Sequence, residues 1–198
     1  MTGLGFAPVK VLDPALAGRF VRLYHKLPKQ EIELRRVLQA GFRGGYILLF
    51  DVWDTGGDES GRVGTHVVGF VSPGLRLPRF SLVSRLFYKG KFGELIVGAT
   101  EWLSEWKASK GGLSRVSFPE SAEFELKFLV FGADEAEVRR VLSPARLARL
   151  AALQHAYQIE AEGDTFALER HVDWRGMTPE QEITSLLDDA HTFLEIFQ

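Results

Sequence analysis

The feature that most restricts the fold of this chain is the order of its hydrophobic periodicities. Strand-like runs come in consecutive sets instead of alternating one by one with helices. Residues 32–39 and 45–53 form a predicted hairpin over the glycine-bearing stretch 40–44, and 65–71 is a third strand beyond the turn-rich segment 54–64. A short extended piece follows at 79–83, then an alternating run at 113–118. Phe124, Leu126, Phe128 and Val130 alternate with Glu125 and Lys127, which predicts a strand over 124–130 broken by Gly132. Residues 157–161 and 165–172 make a second hairpin over Glu162, Gly163 and Asp164. Strands that follow one another directly can pair antiparallel through short turns, whereas parallel pairing needs a crossover each time. The expected fold is α+β: a mainly antiparallel sheet with flanking helices and a C-terminal amphipathic helix. A length of 198 residues fits one sizeable core, so one domain is expected over 1–198.

Helix signals lie between and after these sets. Asp13 and Pro14 supply an N-cap and a proline at the first helical position. Leu16, Phe20, Leu23, Tyr24 and Leu27 then recur at helical spacing until Pro28. Residues 100–107 are expected to be helical. Asp134 with Glu137 makes a capping box, and Ser143 with Pro144 starts a further helix toward Gln154. The strongest signal is the last: Thr178, Pro179 and Gln181 precede Ile183, Leu186, Leu187, Ala190, Phe193, Leu194 and Phe197 on one face.

Several chemistries are excluded by residue type. The chain has no cysteine, so it has no disulfide, thiolate zinc site, iron–sulfur cluster or cysteine nucleophile. Dinucleotide, P-loop and serine-elbow glycine motifs are absent, and no cofactor is expected. No stretch approaches the roughly 18 consecutive apolar residues of a membrane span, and no charged leader precedes a long apolar run. A cytoplasmic, non-transmembrane protein is therefore expected.

Two acidic features invite a hydrolase reading. Asp54, Thr55 and Gly56 follow the apolar run Ile47 to Phe50, as in the active-site triplet of aspartic proteases. One triplet would need a dimer to supply the second carboxylate; Asp54 is thus a candidate catalytic residue. The same three residues are ordinary turn formers, and glycine stands where serine or alanine would follow the triplet. Asp51, Asp54, Asp58 and Glu59 could alternatively gather around a hard cation, although their spacing is not that of an EF-hand. A solvated acidic loop is the favoured account, because unpaired acids usually sit where water reaches them, and no metal is expected. Five scattered histidines lack metal-ligand spacing; His66 and His171, on predicted strands, are the two that tertiary contacts could bring to a metal.

Charge is unevenly spread. Between Ser60 and Gly93 there is no acid, while Arg62, Arg76, Arg79, Arg85, Lys89 and Lys91 are interleaved with Phe80, Phe87, Tyr88 and Phe92. Between Gln158 and Gln198 ten acids face two arginines. Arg76, Arg79, Arg85, Tyr88, Lys89 and Lys91 are the candidate binding residues, for an anionic surface or a protein partner. A sequence pI near 6.2 argues against a dedicated nucleic-acid binder. Alternatively, the basic segment and the acidic tail meet within the fold or across a homodimer. Arg139, Arg140, Arg146 and Arg149 lie within reach of Glu135 and Glu137, and a solvated helix face is expected there.

Three segments carry a wider pattern: Gly45 to Asp51, ending in Phe50-Asp51 before a polar loop; Leu77-Pro78-Arg79-Phe80-Ser81-Leu82; and Phe124 to Val130 leading into Gly132-Ala133-Asp134-Glu135 and Val138-Arg139-Arg140. With Ile159-Glu160-Ala161-Glu162-Gly163 behind them, they resemble an uncharacterised bacterial family, a domain of unknown function, over roughly residues 45–195. Some members carry membrane segments, and no activity is attached to the family. The resemblance marks Asp51 rather than the triplet beginning at Asp54. The expectation is a non-enzymatic binding or interaction domain that engages an anionic or protein partner through its basic-aromatic segment; the alternative is a hydrolase, aspartic-protease-like at Asp54 or metal-dependent at the acidic loop.

Overall fold

The computed structural model describes residues 5–24, 30–42, 45–56, 61–85, 105, 108–153, 155–171 and 178–198. Among them one nine-stranded sheet runs through the molecule. Its strands are β1 (Ala7–Pro8), β2 (Ile32–Phe42), β3 (Gly45–Asp54), β4 (Gly61–Val71), β5 (Leu77–Ser84), β6 (Ser114–Val116), β7 (Phe128–Gly132), β8 (Ala156–Gly163) and β9 (Thr165–His171). Its helices are α1 (Pro14–Tyr24), α2 (Ala122–Lys127), α3 (Glu135–Val141), α4 (Pro144–Ala151) and α5 (Pro179–Phe197). The strand order is β1-β2-β3-β4-β9-β8-β5-β7-β6, with antiparallel neighbours throughout. The α+β class and the C-terminal helix are as the sequence predicts.

Alternation along the strands divides the interior into two faces. Leu49, Val68, Phe70, Phe166 and Leu168 belong to the larger cluster, which α5 covers with Ile183, Leu186, Ala190, Phe193 and Phe197. Phe124, Val138 and Leu147 add α2, α3 and α4 to the same cluster. On the other face Leu48, Phe50, Val52, Val67 and Ala167 pack under Leu16, Phe20, Leu23 and Tyr24 of α1. Gly69 admits this helix closely: a Cβ there would lie 2.4 Å from Cε1 of Phe20. The β8–β9 turn is closed by Gly163 at φ +64°, a left-handed value that glycine adopts without a steric penalty.

α5 is fixed at both ends and in the middle. At its start the Thr178 hydroxyl accepts from the Gln181 backbone N–H, and the Gln181 side chain accepts from the Thr178 backbone N–H. At its end Arg146 donates to the Phe197 carbonyl at 3.0 Å and Arg149 to the Glu195 carbonyl at 3.1 Å. These arginines satisfy carbonyls that a helix end leaves open and place positive charge at the negative end of its dipole. Between the ends, Arg170 on β9 donates to Asp189 and, at 2.9 Å, to Ser185. The Arg170 side chain is 1% exposed.

One element departs from expectation. Residues 122–127 are helical, and the strand begins only at Phe128. Phe124 and Phe128 are four apart as well as an even number apart, so the same spacing satisfies both periodicities. Helix wins locally because Glu123 and Glu125 occupy the first turn and Lys127 pairs with Glu123 at i,i+4. Leu126, which a strand would have buried, is 76% exposed. The segment 100–107 falls outside the described residues except for Glu105.

Candidate functional site

The most distinctive polar arrangement lies on β3, where both neighbouring strands bulge beside Asp51. On one side Arg35 pairs with Asp51 and Leu38 with Leu49, so that Arg36 and Val37 are both accommodated opposite Phe50. On the other, Val67 pairs with Phe50 and Gly64 with Val52, leaving Thr65 and His66 opposite Asp51. Each bulge places a non-glycine residue in the left-handed region, Arg36 at φ +54° and His66 at φ +51°. Such conformations cost about 1–3 kcal/mol and persist where surrounding contacts hold them.

The contacts that hold them converge on one carboxylate. Arg36 donates to Asp51 Oδ2 through Nε at 2.7 Å and also through Nη2. The backbone N–H of His66 donates to Asp51 Oδ1 at 3.1 Å. Asp51 is thereby 2% exposed, while the Arg36 side chain remains 62% exposed. His66 Nδ1 lies 3.9 Å from a carboxylate oxygen of Glu182 in the first turn of α5. The buried acid thus joins three strands, and its histidine neighbour touches the covering helix.

A cleft of about 630 Å³ opens over this cluster. Its walls include Val9, Leu12, Leu34, Leu38, Leu49 and Ile183, with Lys10, Arg35, Arg36 and His66 among the polar groups. Three permanent cations, Lys10, Arg35 and Arg36, face two acids, Glu33 and Asp51. Hydrogen bonds from Arg35 at 2.9 and 2.6 Å hold the Glu33 carboxyl below its ordinary range. The Arg35 guanidinium also lies 4.7 Å over the Trp53 ring. This volume and mixture of apolar wall and a few polar groups are those of a small-ligand cleft.

Asp51 and His66 apart, the residues singled out from sequence lie outside this cleft. Asp54 closes the end of the β2–β3 hairpin: its Oδ1 accepts from the backbone N–H groups of Glu31 at 3.1 Å and Gly56 at 2.9 Å. Thr55 donates through its backbone and hydroxyl to the Glu31 carbonyl. The triplet therefore acts as a turn. Asp58 and Glu59 lie outside the described residues, as does the His171 side chain, and no three metal-ligating side chains gather among the described residues. Arg76 donates to the carbonyls of Pro73 and Leu75 in its own turn. Arg79 and Arg85 are half-buried on and just after β5. Tyr88, Lys89 and Lys91 lie outside the described residues.

The acidic tail finds several partners outside the basic segment. Asp164 pairs with Arg19 at 2.5 Å, and Asp189 pairs with Arg170. On the α1 face, buried Glu160 accepts from Ser81 and Gln158, both at 2.9 Å. In the second arginine cluster, Arg139 pairs with Glu135 and Glu120, and Arg140 with Glu137. Arg146 and Arg149 instead cap α5. Sequence reading missed Arg36 and named His66 only as a metal candidate, because the association of both with Asp51 depends on two bulges; the acidic strand residue before a polar loop was the available signal.

Together the sheet and its coverings define an α+β protein built on one antiparallel sheet, with four described helices on one face and α1 on the other. A solved structure with a similar fold is that of the mycobacterial trehalose monomycolate transport factor A, TtfA. The TM-score is 0.55 at 10% identity, covering 100% of this chain and 89% of that one, so the likeness is one of fold. No family model matches the sequence, and no curated protein matches it. Among the described residues no helix is long and apolar enough to cross a membrane.

Proposed function

We propose that this protein is a non-enzymatic binding domain whose cleft between β1, β2, β3 and α5 accepts an anionic amphiphile. The observation that carries this reading is the convergence of Lys10 and Arg36 on an apolar-walled cleft of about 630 Å³. The anionic head meets the cations at the polar wall, and the chain lies against Leu34, Leu38, Leu49 and Ile183. Asp51 serves as the fixed counter-charge that orients Arg36. The similar solved structure is named for trehalose monomycolate transport, and a binding role beside such a molecule is compatible with a cleft of this character. The basic-aromatic segment with Arg76, Arg79, Arg85, Tyr88, Lys89 and Lys91 is the second candidate for an anionic partner; β5, which carries Arg79, is separated from β3 in the sheet by β4, β9 and β8.

Calorimetric titration of the full chain with monomeric dodecyl phosphate tests the reading, with dodecyl maltoside as the uncharged control. Dodecyl phosphate should bind more tightly, and Lys10→Glu should weaken it about tenfold, the effect of about 1.4 kcal/mol. If charge reversal of Arg79, Arg85 and Lys89 weakens binding instead, the anionic ligand stands and the site moves to the basic segment. Absence of binding by dodecyl phosphate overturns the reading.

A further inference from the structure

We infer that β2 pairs with the β2 strand of a second copy of this chain, edge to edge and antiparallel, about a two-fold axis at Leu34. β1 is only two residues long and pairs with Leu38 and Gln39. The Val9 N–H then bonds the Val37 carbonyl. Beyond that point, no described strand covers the outer edge of β2 at Ile32, Glu33, Leu34, Arg35 and Arg36. An uncovered strand edge presents backbone donors and acceptors to another strand.

Two arguments specify the second copy and its register. A two-fold axis perpendicular to the sheet places one residue opposite itself. Centring on Glu33 or Arg35 would oppose like charges. Centring on Leu34 sets each Glu33 opposite Arg35 of the other copy, twice, with the two leucines opposed. Leu34 is also the midpoint of the uncovered stretch, which β1 and the left-handed bulge at Arg36 limit on one side. Glu33 and Arg35 already pair on one face of the strand within each chain, so the dimer sets four charges of alternating sign in a two-by-two array about its axis. The short ladder implies a weak, concentration-dependent dimer. Because Glu33, Leu34 and Arg35 also line the cleft, the second strand would complete its outer wall.

The test is sedimentation of the full chain over a dilution series, with circular dichroism as the check on folding. Wild type should show monomer–dimer exchange. Glu33→Arg alone and Arg35→Glu alone each turn two opposed pairs repulsive and should weaken the dimer by about tenfold or more. Mixed together, the two single variants present opposite charges to each other and should form a heterodimer. The double variant Glu33→Arg/Arg35→Glu should restore self-association. A strictly monomeric wild type, or single variants that dimerise as well as wild type, overturns the inference; so does failure of the mixed variants to associate.

Discussion

The Arg36 guanidinium, mostly in solvent, grips the Asp51 carboxylate, which is 2% exposed, from a residue whose backbone is left-handed. The ion pair and the strained backbone oppose one another, and substitutions can separate them. Arg36→Ala removes the charge partner and keeps the strain, for a loss of about 2–3 kcal/mol. Arg36→Gly removes both and should be more stable than the alanine variant by about 1 kcal/mol. Urea denaturation of the two variants measures the difference; an alanine variant at least as stable as the glycine variant contradicts the account.

Asp54 is a turn acceptor, and its carboxylate charge is incidental to that role. Asp54→Asn retains an oxygen for Glu31 and Gly56 and should change stability by less than about 0.5 kcal/mol. Asp54→Ala should cost about 1 kcal/mol. Thermal unfolding of both variants is the measurement, and a large loss in Asp54→Asn would require a role for the charge itself.

Tyr24 couples the stability of the fold to alkaline pH. Burial, then the nearby Glu169 and Glu160, push its phenol well above the ordinary value. The phenol in the unfolded chain still ionises near about 10. Between that pH and the raised folded value the unfolded state binds fewer protons, so stability present below about pH 10 is lost as pH rises. Tyr157 is raised too, by burial and by Asp189, against a lowering influence from Arg170. Denaturation across alkaline pH should show this slope, and Tyr24→Phe should reduce it; an unchanged slope removes Tyr24 as its source.

Arg170 and Asp189 pin the helix to the sheet at a site that water scarcely reaches. Arg170→Met leaves Asp189 without its cation and should cost about 3 kcal/mol, with faster amide exchange in α5. Arg170→Met combined with Asp189→Leu should recover much of that loss, since paired apolar groups tolerate such a site better than one orphaned charge. Equal instability in the single and double variants would show that the ion pair is not what secures the helix.

What could be seen in the sequence is what depends on near neighbours. The capping box of Thr178 and Gln181, the β8–β9 turn at Gly163 and the proline start of α1 each follow from residues within a few positions of one another. Residues 122–127 were ambiguous because Phe124 and Phe128 suit both periods; the first-turn acids and the Glu123–Lys127 pair favour helix, and Phe124 then packs on Phe118 and Phe128. The cleft was out of reach for a different reason. Arg36, Asp51 and His66 lie on three strands, and regular alternation does not anticipate the two register shifts that bring their donors and acceptors together. Charge patterning found the acidic tail but not its partners, since Arg19 and Arg170 lie outside the basic segment.

The position of β5 between β8 and β7 has a consequence for how the chain acquires its shape. β2, β3 and β4 can zip together as a local meander, yet β4 gains its outer neighbour only when β9 arrives from far along the chain. β5 likewise must be held until both β7 and β8 reach it. Such closures lose chain entropy before they gain contacts, which slows folding relative to a sheet of successive hairpins. The growing sheet therefore passes through a stage with β4 and β5 still unmatched, when their Val67–Val71 and Phe80–Ser84 edges are the surfaces most in need of protection from other chains.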